Sequence, residues 1–178
     1  LPREVLGTNI EPNSESDYVV DFTTHVLTCG SDGAKMKKLT ESTGRLGIEP
    51  HNVINGKWQG SDMTGPGGGQ KIVDLKSYIE RAKLPDSDVI LFTDAYDVFY
   101  GRDLETILGR FLGYKREVVF SAEKHCWPDQ RLRFPPTHTI YRYLNSGTFI
   151  GRVGEIKRML DFPITKSEDD QLYLQKQF

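Results

Sequence analysis

DVILFTDAYDVFYG, residues 88–101, decides the reading of this chain. Val89, Ile90, Leu91 and Phe92 form an unbroken apolar run. That is the pattern of a short strand covered on both faces, as in a parallel sheet, rather than the alternation of a half-exposed one. Asp94 and Asp97 follow directly. An ionised acid beside an apolar core is costly unless something compensates its charge, so the pair needs a reason.

The pattern alternates outward from that strand. HVLTCG (25–30) reads as a strand ending at a glycine, and Met36, Leu39, Thr43 and Leu46 recur at helical spacing between Gly33 and Gly47. HNVING (51–56) reads as a short strand. Ile72, Leu75, Ile79 and Ala82 make one helix face, ended by Pro85 and Asp86. Leu104, Ile107, Leu108, Phe111 and Leu112 form a second stripe behind Asp103, a candidate N-cap. EVVFSAE (117–123) and TFIG (148–151) read as strands, and Val153, Ile156 and Leu160 as a helix. Such alternation predicts an α/β layer with a mainly parallel sheet flanked by helices. Residues 1–22, with Pro2, Pro12 and NSESD, are expected to be loosely ordered, leaving 23–178 as the domain.

Composition narrows the possibilities. The 178 residues are enough for one domain with a real core, and 37% hydrophobic with 27% charged residues is an ordinary globular balance. A net charge of −2 offers no electrostatic case for nucleic acid or an anionic membrane. No apolar run approaches the roughly 20 residues of a membrane span. The chain opens LPREVLG, without an initiator Met or a signal-like stretch, and so reads as a fragment or mature segment. Cys29 and Cys126 fit no zinc spacing; buried free thiols are the preferred reading over a disulfide.

Ligands of open α/β sheets bind outside the carboxyl ends of strands, where Asp94 and Asp97 fall. Residues three apart on a straight strand face opposite ways, so the two acids converge only if the chain turns after Thr93. Converging carboxylates suit a hard cation, Mg²⁺ or Mn²⁺, that keeps sites open for water and phosphates. The alternative makes Asp94 a turn residue and Asp97 a solvated acid. GPGGGQK (65–71) fails both Walker A and G-x-G-x-x-G spacing because Gln70 stands where a glycine is required. It leaves either a flexible loop or a close backbone approach, with Lys71 meeting an anion at a helix start. In SEDDQL (167–172), Ser167 and Asp170 fit a capping box, which is preferred over assigning Asp169 or Asp170 to a substrate. Trp58 and Trp127 lie in loop-like contexts, as core or as a flat wall for a ring. No H-x-D, H-E-x-x-H or G-x-S-x-G occurs, which argues against an iron facial triad, a zincin site and a hydrolase elbow.

In order, GGGQK, VILFTDAYDV, FSAEKHCWP, LNSGTFIG and DDQLY resemble the amino-terminal glycosyltransferase domain of the procollagen lysyl hydroxylases, over roughly residues 56–174. A looser likeness to metal-dependent GT-A sugar transferases rests on the Asp pair, Asn145-Ser146-Gly147 and Asp170-Gln171. The resemblance implies a GT-A-like fold and a manganese ion held by Asp94 and Asp97. It places Tyr96 against the uridine, with Thr28, Trp58 and Lys71 also on the nucleotide side. Trp127 falls beside sugar and acceptor, Asn145 in the stretch lining the donor sugar, and Asp169 and Asp170 at the end of an acidic run that supports transfer. The implied reaction moves glucose from UDP-glucose to galactosyl-hydroxylysine of collagen, with retention, in the endoplasmic reticulum lumen.

Three departures from the family pattern stand out. The family completes its metal site with a histidine well downstream that residues 1–178 do not include, the acidic run is shortened to Glu168-Asp169-Asp170, and the family's hydroxylase domains are not within these residues. The domain is therefore expected to be truncated at its carboxyl end. Two other readings stay open: a non-catalytic module of the same fold, and a GT-A transferase acting on another glycan.

Overall fold

The computed structural model describes residues 21–59 and 67–177. Most of the segment expected to be loosely ordered (1–20), and Gly65 and Pro66 of the glycine-rich stretch, lie outside the described residues. Ten elements follow one another: β1 (Thr24–Cys29), α1 (Lys37–Arg45), β2 (His51–Asn52), α2 (Gly69–Ala82), β3 (Val89–Asp94), α3 (Leu104–Gly113), β4 (Val118–Glu123), β5 (Tyr143–Arg152), α4 (Val153–Met159) and α5 (Asp170–Gln177). The sheet order is β2-β1-β3-β5-β4. β1 pairs in parallel with β2 and β3, while β5 runs antiparallel to both β3 and β4. Four strands therefore point one way and β5 alone returns, which is the expected mainly parallel α/β sheet.

The opening stretch behaves as its composition requires. Val89, Ile90 and Phe92 are fully buried and Leu91 nearly so. Alternate residues serve opposite faces. Ile90 and Phe92 join Ile72, Leu75 and Ile79 of α2, Val153 and Ile156 of α4 and Leu174 of α5. Val89 and Leu91 join Leu39 of α1 and Phe111 of α3, with Ile107 and Leu108 packed alongside. Burying each such side chain contributes about 1.5–3 kcal/mol, so β3 is the spine of both layers. Phe149 of β5 stacks on Phe92 at 5.0 Å between ring centroids, fastening the antiparallel strand to that spine.

Local signals place the ends of elements. Asp103 caps α3, accepting the Thr106 N–H at 2.8 Å. α2 starts at Gly69, three residues before its first large apolar residue, because Gly68 adopts a φ of 93° that turns the chain into the helix. β5 is ten residues long and takes in Asn145, Ser146 and Gly147, well beyond the four expected. Cross-strand pairing with β4, through a register shift at Phe120/Ser121, extends the strand through residues whose polarity suggests a loop. Cys29 and Cys126 are both free thiols, as expected, but only Cys29 is buried; Cys126 is partly exposed. Among the described residues no helix is long and apolar enough to cross a membrane.

Candidate functional site

The carboxyl ends of β1, β3 and β4 meet the start of β5 and the first turns of α2 and α5. β3 delivers Asp94 as its last residue, after which the chain bends through Ala95, Tyr96 and Asp97. The turn that convergence of the two acids demands is therefore present. Asp97 is exposed and Asp94 half-buried; the Asp97 charge is felt at Asp94. Tyr96 is fixed by its hydroxyl, which accepts the backbone N–H groups of Ser31 (2.8 Å) and Asp32 (3.1 Å) in the loop after β1.

Lys71 organises the centre. Its side chain is buried in the first turn of α2, with Nζ 2.7 Å from Asp94 Oδ1 and 2.6 Å from Asp170 Oδ2. The bond to Asp94 is a directed hydrogen bond. The contact with Asp170 is an ion pair whose angles are poor for donation, so Asp170 Oδ2 lacks a formal hydrogen-bond partner. Burial pulls the ammonium's pKa down, but the two carboxylates outweigh it and hold Lys71 charged, above the ordinary lysine value. Burial raises the pKa of Asp94 despite the opposing pull of Lys71. The anions that Lys71 meets at the helix start are thus two of the chain's own carboxylates. The first amides of α2 are also engaged: Gly69 N–H donates to the Glu168 carbonyl (2.8 Å) and Gln70 N–H to that of Lys166 (3.0 Å).

That knitting corrects the expected capping box. Asp169, not Ser167, caps α5, accepting the Leu172 N–H at 2.6 Å, while the Asp170 side chain turns inward to Lys71. One acid serves the helix and its neighbour the site. Sequence could not separate them, because both stand in a first turn where an acid is favourable.

Asn145 and Asp94 close on Gly147 from two sides. Asn145 Oδ1 accepts from Gly147 N–H and Ser121 Oγ, each at 3.0 Å. A Cβ on Gly147 would come within 3.0 Å of both Asn145 Oδ1 and Asp94 Oδ2, so the glycine keeps that space open between two oxygens. Beside it, Gln171 of α5 accepts the Ser146 N–H (3.1 Å) and donates to Glu123 Oε1 (2.6 Å) and the Trp127 carbonyl (2.7 Å). Trp127 itself is half exposed, at 50%.

Trp58 lies in the loop before α2. Gln70, fully buried, brackets it by accepting the Gln59 N–H and donating to the Lys57 carbonyl at 3.2 Å. The residue that breaks both glycine motifs is thus the anchor of this loop. Thr28 is placed differently from the others. It is 1% exposed within the sheet, opposite Thr93, and its side chain is not brought to the surface of the cleft. Glu123 went unrecognised, and Gln70 and Gln171 were marked by motif alone, because isolated polar residues carry no spacing signal; only folding shows what they reach.

The donors gathered around Asp94 are hard oxygens, of the kind that suits Mg²⁺ or Mn²⁺. Among the described residues no three His, Cys, Asp or Glu side chains close into a metal cage. A hard-cation site needs few protein ligands, because water and phosphate can supply the rest.

Comparison with known proteins locates this arrangement. The PLOD GT domain family model matches residues 23–178. The chain is 42% identical over 125 residues to a procollagen-lysine,2-oxoglutarate 5-dioxygenase of Drosophila melanogaster, covering 68% of the chain and 17% of the relative. It is 38% identical over 155 residues to a multifunctional procollagen lysine hydroxylase and glycosyltransferase of Caenorhabditis elegans, covering 83% and 21%. A mouse procollagen-lysine,2-oxoglutarate 5-dioxygenase 2 is 39% identical over 124 residues, covering 67% and 17%. The chain thus spans about a fifth of the length of these curated relatives.

Proposed function

The chain belongs to the PLOD glycosyltransferase-domain family, and from that premise we propose that it transfers a sugar, glucose in our reading, from a UDP-sugar to galactosyl-hydroxylysine of a collagen-like polypeptide in the endoplasmic reticulum lumen. The observation that carries this reading is the meeting of Asp94 and Asp170 on Lys71, beside Gly147, whose missing side chain lets Asn145 Oδ1 and Asp94 Oδ2 approach.

The donor set is of the hard-oxygen kind that Mn²⁺ or Mg²⁺ takes, and Asp94 and Asp97 would hold such an ion. When bound, such an ion offsets the charge that builds on the diphosphate as the glycosidic bond breaks. The protein's own groups do the rest. Tyr96 and Trp58 bound the nucleotide side, each held through backbone or hydroxyl contacts that fix its loop. Asn145 and Asp170 face the sugar, and Lys71 holds the Asp170 carboxylate in place. Trp127 forms the acceptor-side wall, which excludes the water that would otherwise intercept the sugar. Retention of anomeric configuration is part of the proposal.

Titrating UDP with and without Mn²⁺ tests it, together with transfer to a galactosyl-hydroxylysine peptide. Metal-dependent UDP binding lost in Asp97→Ala supports the reading. Metal-independent affinity that survives the substitution contradicts it.

A second reading, a nucleotide-sugar-fold module that turns nothing over, is favoured by one feature: Lys71 already neutralises Asp94 and Asp170 from within. Turnover of a UDP-sugar by the chain excludes it.

A further inference from the structure

Gln171 and Gln175 lie one turn apart on α5 and so share a face. Both aim a side-chain amide at one atom, the carbonyl oxygen of Trp127: Gln171 Nε2 at 2.7 Å and Gln175 Nε2 at 2.9 Å. Each then reaches a second point on β5. Gln171 Oε1 takes the Ser146 N–H at 3.1 Å, and Gln175 Nε2 donates to the Leu144 carbonyl at 2.9 Å.

The orientation of the Gln175 amide follows from its surroundings. Two carbonyl oxygens need a donor, so the nitrogen must face them. The consequence is that Gln175 Oε1, in a residue only 6% exposed, is left without a hydrogen-bond partner. A buried acceptor left unpaired calls for an explanation, because burial of such a group is unfavourable. Here it coincides with a doubly held carbonyl in an otherwise exposed loop. The same helix begins with Asp169 and Asp170, so one rigid element carries both the inward carboxylate and the brace on Trp127.

We infer that Gln175, acting with Gln171, is a positioning residue that holds Trp127 in register with Asp170 across the acceptor side of the cleft. The inference rests on the proposed transferase reading for the purpose of the brace, but the brace itself is a property of the chain. Gln175 touches no substrate in this account; it acts through Trp127. A loose brace lets the tryptophan wander, and a displacement of about 1 Å at a reacting centre can cost on the order of a hundredfold in rate.

The test replaces Gln175 by Met, which preserves length and volume but removes both donations. In a Trp58→Phe background Trp127 is the sole tryptophan, and acrylamide quenching of its fluorescence reports how firmly the loop is held. Greater quenching in Gln175→Met is expected, because the carbonyl that anchors the loop loses one of its two side-chain donors. Unchanged quenching in a folded variant overturns the brace. If Gln175→Met fails to fold, Gln171→Met, which removes the other donor, gives the same readout. Activity then separates a positioning role from a general structural one. In the wild-type background Gln175→Met lowers transfer about tenfold or more with UDP affinity unchanged. In a Trp127→Ala background it lowers transfer no further, because the residue it acts through is gone. Equal losses in both backgrounds overturn the positioning role. Absence of any turnover by the wild-type chain sinks the transferase reading instead, and leaves the quenching result standing.

Discussion

The ammonium of Lys71 lies 2.6 Å from the carboxylate of Asp170, which ties the first turn of α2 to the first turn of α5 across 99 residues of sequence. With Asp94 on its other side, Lys71 balances two acids that could not otherwise sit beside the core. Removing it should therefore do more than delete a contact. Lys71→Met leaves two carboxylates close together without their cation, and a loss of about 3–5 kcal/mol is expected. Urea unfolding of the variant measures it. A loss under about 1 kcal/mol means that the pair is solvated after all.

Asp97 should behave in the opposite way. It is exposed, so Asp97→Ala is expected to leave the unfolding free energy within about 0.5 kcal/mol of wild type. On the proposed reading it abolishes the Mn²⁺ dependence of UDP binding. Paired denaturation and calorimetric titrations of one preparation separate the two effects.

Gly69 permits the join between α2 and the loop before α5. A Cβ at this position would run into the Thr165 carbonyl oxygen, a backbone atom that cannot swing aside. Gly69→Ala is expected to destabilise by about 1–3 kcal/mol, against the usual gain of alanine in a helix. It should also speed amide exchange at Gln70 and Asp170, whose N–H groups bond across the join.

Cys29 is buried beside Asp74 and Asp94, and its thiol is pushed up to about 12, chiefly by burial. The thiolate is the reactive form, so at pH 8 iodoacetamide should leave Cys29 untouched in the folded chain and modify it rapidly in urea. The linkage has a definite sign. The folded pKa lies above the unfolded one, so the unfolded chain ionises first as pH rises. Stability is unaffected below the unfolded value of about 8.5 and falls from there toward 12, by up to ~1.4 kcal/mol per pH unit from this group. Tyr100, raised to about 12 by burial, adds to the loss from pH 10 upward. Thermal melts between pH 8 and 11 should show a fall that Cys29→Ala partly relieves.

Asp103→Ala removes the side chain that caps α3, and a loss of about 1 kcal/mol is expected from thermal or urea melts.

Sequence alone determined the layered α/β fold. The apolar run at 89–92 is a continuous signal and the helical stripes at 72–82 and 104–112 follow a period of 3.6; both are local and survive in any context. It also marked Asp94 and Asp97 at a strand end, and the cap at Asp103, because each signal lies within a few residues of its cause. Tertiary structure decided the site. Which of the acids behind Ser167 turned inward, where Lys71 pointed, what Gln70 and Gln171 were for, and how far β5 ran all hinged on partners distant in sequence. A buried polar side chain takes its role from whatever hydrogen-bonding group the fold brings within 3 Å, and that distance is set by packing between elements, which no local pattern encodes.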